Sequence, residues 1–102
     1  MIARVWRGVV RAEDADEYAA YVQETGIEGY QQTPGNQGAW LLRRPDGDGR
    51  EEIVTLSFWD SVQAIEAFAG QDIERAKYYP EDDRYLLERD PKVVHYQVPD
   101  QQ

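Results

Sequence analysis

Residues 51–69, EEIVTLSFWDSVQAIEAFA, contain a change of period that decides the fold. From Glu51 to Trp59 the side chains alternate. Glu52, Val54, Leu56 and Phe58 lie on one side, and Ile53, Thr55, Ser57 and Trp59 on the other. A period of two is that of a strand. Both sides carry apolar groups, so this strand is expected at the centre of a sheet, covered on both faces. At Asp60 or Ser61, either of which can cap a helix, the spacing changes. Val62, Ile65, Phe68 and Ala69 then form one helical stripe, interrupted at Gly70.

Working outward, residues 38–44 (GAWLLRR) read as a strand, joined to 51–59 by a hairpin turn in PDGDGR. Residues 2–10 (IARVWRGVV) also alternate, placing Ile2, Arg4, Trp6 and Gly8 on one face. Residues 13–25 have helical spacing at Ala15, Tyr18, Ala19 and Val22. Asp14 and Glu17 resemble a capping box at its start, and Gly26 is a plausible stop. Residues 27–36 read as a turn-rich connector with room for one short helical turn. After Gly70, residues 72–79 read as a further helical piece ended by Pro80, and 81–87 as another short helix. Residues 92–98 (KVVHYQV) alternate and form the last strand. The order β-α-β-β-α-β, with extra helical material before the last strand, is the ferredoxin-like α+β pattern: an antiparallel sheet with helices on one face.

The chain has 102 residues, a length that suits one domain, expected over residues 1–98 with a short C-terminal tail at 99–102. A formal net charge of −9 argues against nucleic acid or an anionic membrane as a partner. The absence of cysteine excludes a disulfide framework, a thiol nucleophile and thiolate metal sites. Arg4, Arg7 and Arg11 interrupt every early apolar run, and no stretch is long enough to span a bilayer. A soluble, cytoplasmic protein is the expectation. Asp46 and Asp48 sit in a glycine-rich turn that does not complete a calcium loop, and no spacing argues for a metal site. The strands also carry more large apolar groups than a sheet with one wet face tolerates. Two sheets packed face to face would bury them, which predicts a two-fold homodimer.

Several side chains are candidates for chemistry. His95 is the one histidine and the natural acid-base group. It is either a general base in a pocket between sheet and helices or a hydrogen-bonded residue of a sheet face. Trp6 and Trp59 are either the walls of a flat aromatic pocket or packing residues. Arg4 shares a face with Trp6 and, if buried, would hold a phenolate or another oxyanion. Tyr78, Tyr79 and Arg84, around Pro80, form a second cluster of hydroxyls and charge.

Residues 57–88 (SFWDSVQAIEAFAGQDIERAKYYPEDDRYLLE) resemble the antibiotic biosynthesis monooxygenase superfamily. There a strand ends in an aromatic-acidic pair around a Trp and runs into a Ser-x-x-Ala-Ile helix, matched here by Phe58, Trp59, Asp60, Ser61, Ala64 and Ile65. The segment 75–87 is similar to that of small bacterial members. The resemblance implies a dimeric α+β barrel whose sheets pack together. It also implies a cofactor-independent oxygenase acting on an electron-rich aromatic or polyketide-like substrate, with no metal or flavin. His95 would be the base, Arg4 or Arg84 the anion hold, and Trp6, Trp59, Tyr78 and Tyr79 the substrate contacts. The same family accommodates a non-catalytic dimer that binds a small hydrophobic ligand, and haem-degrading members. This chain departs from many members at Ser57, where they carry Glu, and at Phe68, where they carry His.

Overall fold

The computed structural model describes residues 1–99, so of the tail expected at 99–102 only Pro99 falls within it. Strand β1 (Ile2–Arg11) lies beside β3 (Arg50–Trp59), and β2 (Asn36–Pro45) forms a hairpin with β3. Both pairings are antiparallel. They set Ile2 opposite Trp59, Arg4 opposite Ser57 and Trp6 opposite Thr55. As the alternation indicated, β3 is an inner strand, flanked by β1 and β2.

The other edge of β1 is filled in two pieces. β4 (Leu86–Arg89) pairs with Gly8–Val10, and β5 (Val94–Gln97) pairs with Ile2–Val5. The result is the ferredoxin-like α+β sheet with its last strand broken in the middle. Here the helix expected over 81–87 is corrected. Only Asp82–Tyr85 is helical (α4), and the chain becomes strand at Leu86, because the vacant edge of β1 offers it hydrogen-bond partners.

Helix α1 (Ala15–Val22) buries Ala15, Tyr18, Ala19 and Val22 against the sheet, the stripe read from the sequence. The capping box does not form: Asp14 makes no side-chain cap bond, and a short 3-10 turn (Ala12–Asp14) leads in. Nor does Gly26 stop the helix. The chain passes through a π-helical turn, Gln23–Ile27, into α2 (Glu28–Gln32). An α-helical step from Val22 would not return Ile27 and Tyr30 to the core. One wide turn does, and both are buried.

Helix α3 (Val62–Ala69) starts at Ser61, whose hydroxyl accepts from the Ala64 amide at 3.2 Å. Gly70, at φ 89°, ends it. The helical piece expected over 72–79 is absent; residues 70–80 form an irregular strap across the inner face of the sheet. It is pinned by tertiary bonds rather than by a helix of its own. Arg4 donates to the Ile73 carbonyl at 2.6 Å, and the Val93 amide to the Glu74 carbonyl at 2.7 Å.

The outer face of the sheet is apolar and open. Trp40, Leu42, Val94 and Tyr96 are exposed, with Tyr96 at 58%, and the Trp40 ring meets Phe58 edge-on at 5.8 Å. At one end of this face Glu52 is held by Arg7 (2.8 Å) and Arg44 (3.2 Å). Their hydrogen bonds, Arg44's foremost, keep its carboxyl below the ordinary range.

Candidate functional site

The space between the sheet and the helical layer has two ends. One is solid. Trp59 is fully buried, its ring edge-on to Tyr30 at 5.6 Å and near Phe68 at 6.3 Å, and its indole N–H donates to Ser57 Oγ at 2.9 Å. Ser57 thus satisfies the one polar group that this tryptophan brings into the core.

The other end is hollow. A partly open cavity of about 40 Å³ has a floor of Arg4, Trp6, Thr55 and Val93 on the sheet side and Tyr18, Val22 and Tyr30 on the helix side. Its rim comes from the half-buried Thr25 and Gly26 of the π-helical turn and, on the strap, from the half-buried Ala76 and Tyr79 and the exposed Lys77 and Tyr78. The Trp6 indole donates to the Tyr78 hydroxyl at 3.3 Å, ring against ring at 73°.

Arg4 is the chemical centre of this end. It is 1% exposed, yet no carboxylate of the described residues lies within 4.0 Å of it. Its Nη1 donates to Ile73 and to His95 Nε2 at 2.9 Å, while Nε is buried without a partner. A guanidinium only donates, so His95 Nε2 must present its lone pair. Burial and then the Arg4 charge lower the histidine's pKa, with Glu74 opposing, and the ring is neutral at ordinary pH.

Asp82 locks the strap to the helix. Its Oδ1 accepts from the Tyr18 hydroxyl at 3.0 Å and its Oδ2 from the Tyr79 amide at 2.6 Å. Burial, and then the charge of Asp82, raise the Tyr18 phenol well above its usual range, so it stays a donor. Burial likewise raises Tyr79.

The structure therefore gathers Arg4, Trp6, Tyr78 and Tyr79 around one cavity, with His95 bonded to Arg4 from behind. Trp59 and Arg84 do not line it. Arg84 is a surface side chain that pairs with Glu81 at 2.9 Å and lies over the Tyr85 ring. Sequence reasoning missed Asp82, Lys77 and the π-turn pair Thr25 and Gly26. An acidic run after Pro80 suits a solvated helix end, and nothing local marks Asp82 as its buried member. No group of three or more His, Asp or Glu able to hold a metal occurs among the described residues.

Residues 1–76 match the family model described as antibiotic biosynthesis monooxygenase. The chain belongs to that family. No curated protein matches it in sequence. Among solved structures it resembles a putative antibiotic biosynthesis monooxygenase from Bacillus cereus, with a TM-score of 0.68 at 16% identity, covering 99% of this chain and 95% of that one. A putative member from Nitrosomonas europaea gives 0.65 at 16%, covering 96% and 98%. The heme-degrader MhuD from Mycobacterium tuberculosis, solved with two hemes in its active site, gives 0.59 at 17%, covering 96% and 95%. At these identities the likeness concerns the fold. Ser57 and Phe68, the expected departures from many family members, both contact Trp59.

Proposed function

We propose that the protein is a cofactor-independent oxygenase acting on an acidic, electron-rich aromatic compound whose acidic edge enters the cavity at Arg4. The observation that carries this reading is a fully buried guanidinium without a carboxylate, bonded to a neutral imidazole and facing an aromatic cavity. A buried cation costs several kcal/mol unless an anion compensates it. A substrate that becomes anionic supplies that compensation at the moment it forms, which is transition-state stabilisation.

In this reading the substrate enters with its acidic edge toward Arg4. As negative charge develops, Arg4 turns to it and releases the Nε2 lone pair of His95, which, lying outside the cavity, receives the proton through one bridging water. The carbanion passes one electron to oxygen, and the resulting radical and superoxide combine as a peroxide. Loss of water leaves a carbonyl, so a CH2 group and O2 become C=O and H2O. Trp6, Tyr78 and Tyr79 supply apolar walls that keep the carbanion from bulk water. Oxygen uptake with 1,8-dihydroxyanthrone, without added metal or flavin, tests the reading. Uptake should fall about a hundredfold or more in Arg4→Ala and His95→Ala. Full activity in both folded variants removes the assigned roles.

We also propose that the apolar outer face pairs with a second copy. Trp40, Leu42, Val94 and Tyr96 are exposed on one face beside the half-buried Phe58, the kind of apolar patch that marks an interaction surface. Sedimentation should give a dimer, and Leu42→Glu a monomer. The haem reading fits this chain less well. Its one histidine gives its Nε2 lone pair to Arg4, so that nitrogen has none to offer a haem iron.

A further inference from the structure

We propose that the cavity is a carboxylate site: its ligand is an aromatic carboxylic acid that binds end-on, its carboxylate on Arg4 and its ring at the rim beside Gly26. The proposal rests on the reading of this cavity as the substrate site and adds to it a class of ligand already charged before any reaction.

Charge pairing across the molecule points to this. Eight of the eleven basic side chains have an acidic partner within 4.0 Å, and among the described residues only Arg4, Arg75 and Lys77 do not. Two of those three line the cavity, Arg4 at its floor and Lys77 at its rim. Lys77 lies over the Phe68 and Tyr79 rings, and two cations without acidic partners against one lining carboxylate, Asp82, leave a net positive field at the hollow that attracts an anion. The one carboxylate that lines the cavity, Asp82, is committed to Tyr18 and Tyr79.

Geometry selects a carboxylate over other anions. The hydrogen bonds of Arg4 leave from Nη1, so the edge formed by Nε and Nη2 has no protein partner, and because Nε is buried a ligand taking this edge must displace the packing over it. Two parallel N–H groups on a planar guanidinium match the two oxygens of a carboxylate.

Size selects the orientation. A cavity of about 40 Å³ accepts the head of such a ligand and not its ring; a benzene-sized site has roughly 150 Å³. The ring must then lie at the rim, where the π-helical turn presents Gly26. A Cβ built on Gly26 meets only the Val22 side chain, at 3.8 Å, and the backbone there is not in the left-handed region. A Cβ there is therefore tolerated by the fold, and a side chain extending from it would compete with the ligand at the rim. Gly26 is a specificity determinant in this account.

Isothermal titration of the purified protein with benzoate and with benzamide, two probes of one shape and different charge, tests the proposal. Benzoate should bind about tenfold or more tightly than benzamide. Gly26→Leu, which leaves Arg4 untouched, should weaken benzoate about tenfold, and Lys77→Ala by a few fold. Arg4→Gln should abolish the preference for the charged probe. Equal binding of the two probes, no benzoate binding, or unchanged affinity in Gly26→Leu each overturns the proposal. Oxygen uptake with the anthrone separates the two readings. Uptake without benzoate binding sinks the carboxylate site alone, and benzoate binding without uptake sinks the oxygenase alone.

Discussion

Trp59 and Trp6 stand on neighbouring antiparallel strands, both facing the helical layer, and meet opposite ends of the same space. Trp59 is sealed by Tyr30 and Phe68, and its N–H is satisfied within its own strand. Trp6 turns its N–H to Tyr78 of an irregular strap and borders the cavity. What differs is the cover. Regular helices close-pack over the first end, where side chains interdigitate at fixed spacing. The strap closes the second end with single hydrogen bonds and leaves a gap beside a buried charge. A pocket forms where regular structure gives out.

The largest expected effect sharpens this contrast. Trp59→Ala should cost about 3–5 kcal/mol in denaturant unfolding, as for a large side chain deleted from a full core. Trp6→Ala should cost less, because one side of its ring already faces the cavity. Equal losses would mean that the two ends are packed alike. Asp82→Ala should come next, at about 1–3 kcal/mol, since it strands the buried Tyr18 hydroxyl and frees the strap. Hydrogen exchange should then rise in residues 71–81 and not in α3; uniform protection would show that the strap does not depend on Asp82.

Gly8 tests the Trp6 end from below. A Cβ there would lie 2.6 Å from the Trp6 ring and 2.7 Å from Leu86, so Gly8→Ala must tilt one of them. A loss of about 1–2 kcal/mol is expected, with a shift in Trp6 fluorescence. An unshifted spectrum would place the adjustment at Leu86 instead.

The smallest effect concerns pH. Burial and Arg4 hold His95 below its ordinary pKa, so the unfolded chain binds the extra proton first. His95 therefore contributes stability that is fully present above about pH 6.5 and is lost as the pH falls through that value toward the folded pKa. Thermal melts between about pH 7.5 and 5.5 should show a declining Tm in the parent and a flatter profile in His95→Gln. Parallel profiles would mean that His95 is not the group titrating.

Much of the site was legible on the strands and little of it elsewhere. Alternation along 2–10 put Arg4 and Trp6 on one face, and the face of His95 followed from 92–98. Strand registers then brought Arg4 opposite His95, a pairing of residues at the two ends of the chain that no local pattern encodes. The strap was misread as helix because its spacing allows one. Its backbone found partners in Arg4, Val93 and Asp82 instead.

By itself the sequence determined the ferredoxin-like order, the inner position of β3 and the surplus of apolar groups on the sheet. These follow from period and composition, which act locally along the chain. Tertiary structure alone decided which tryptophan meets a cavity, that Gly26 lies in a wide helical turn, and that Arg4 is buried without a carboxylate. Each of those depends on what the rest of the chain places opposite a side chain, and desolvation, not spacing, sets its chemistry.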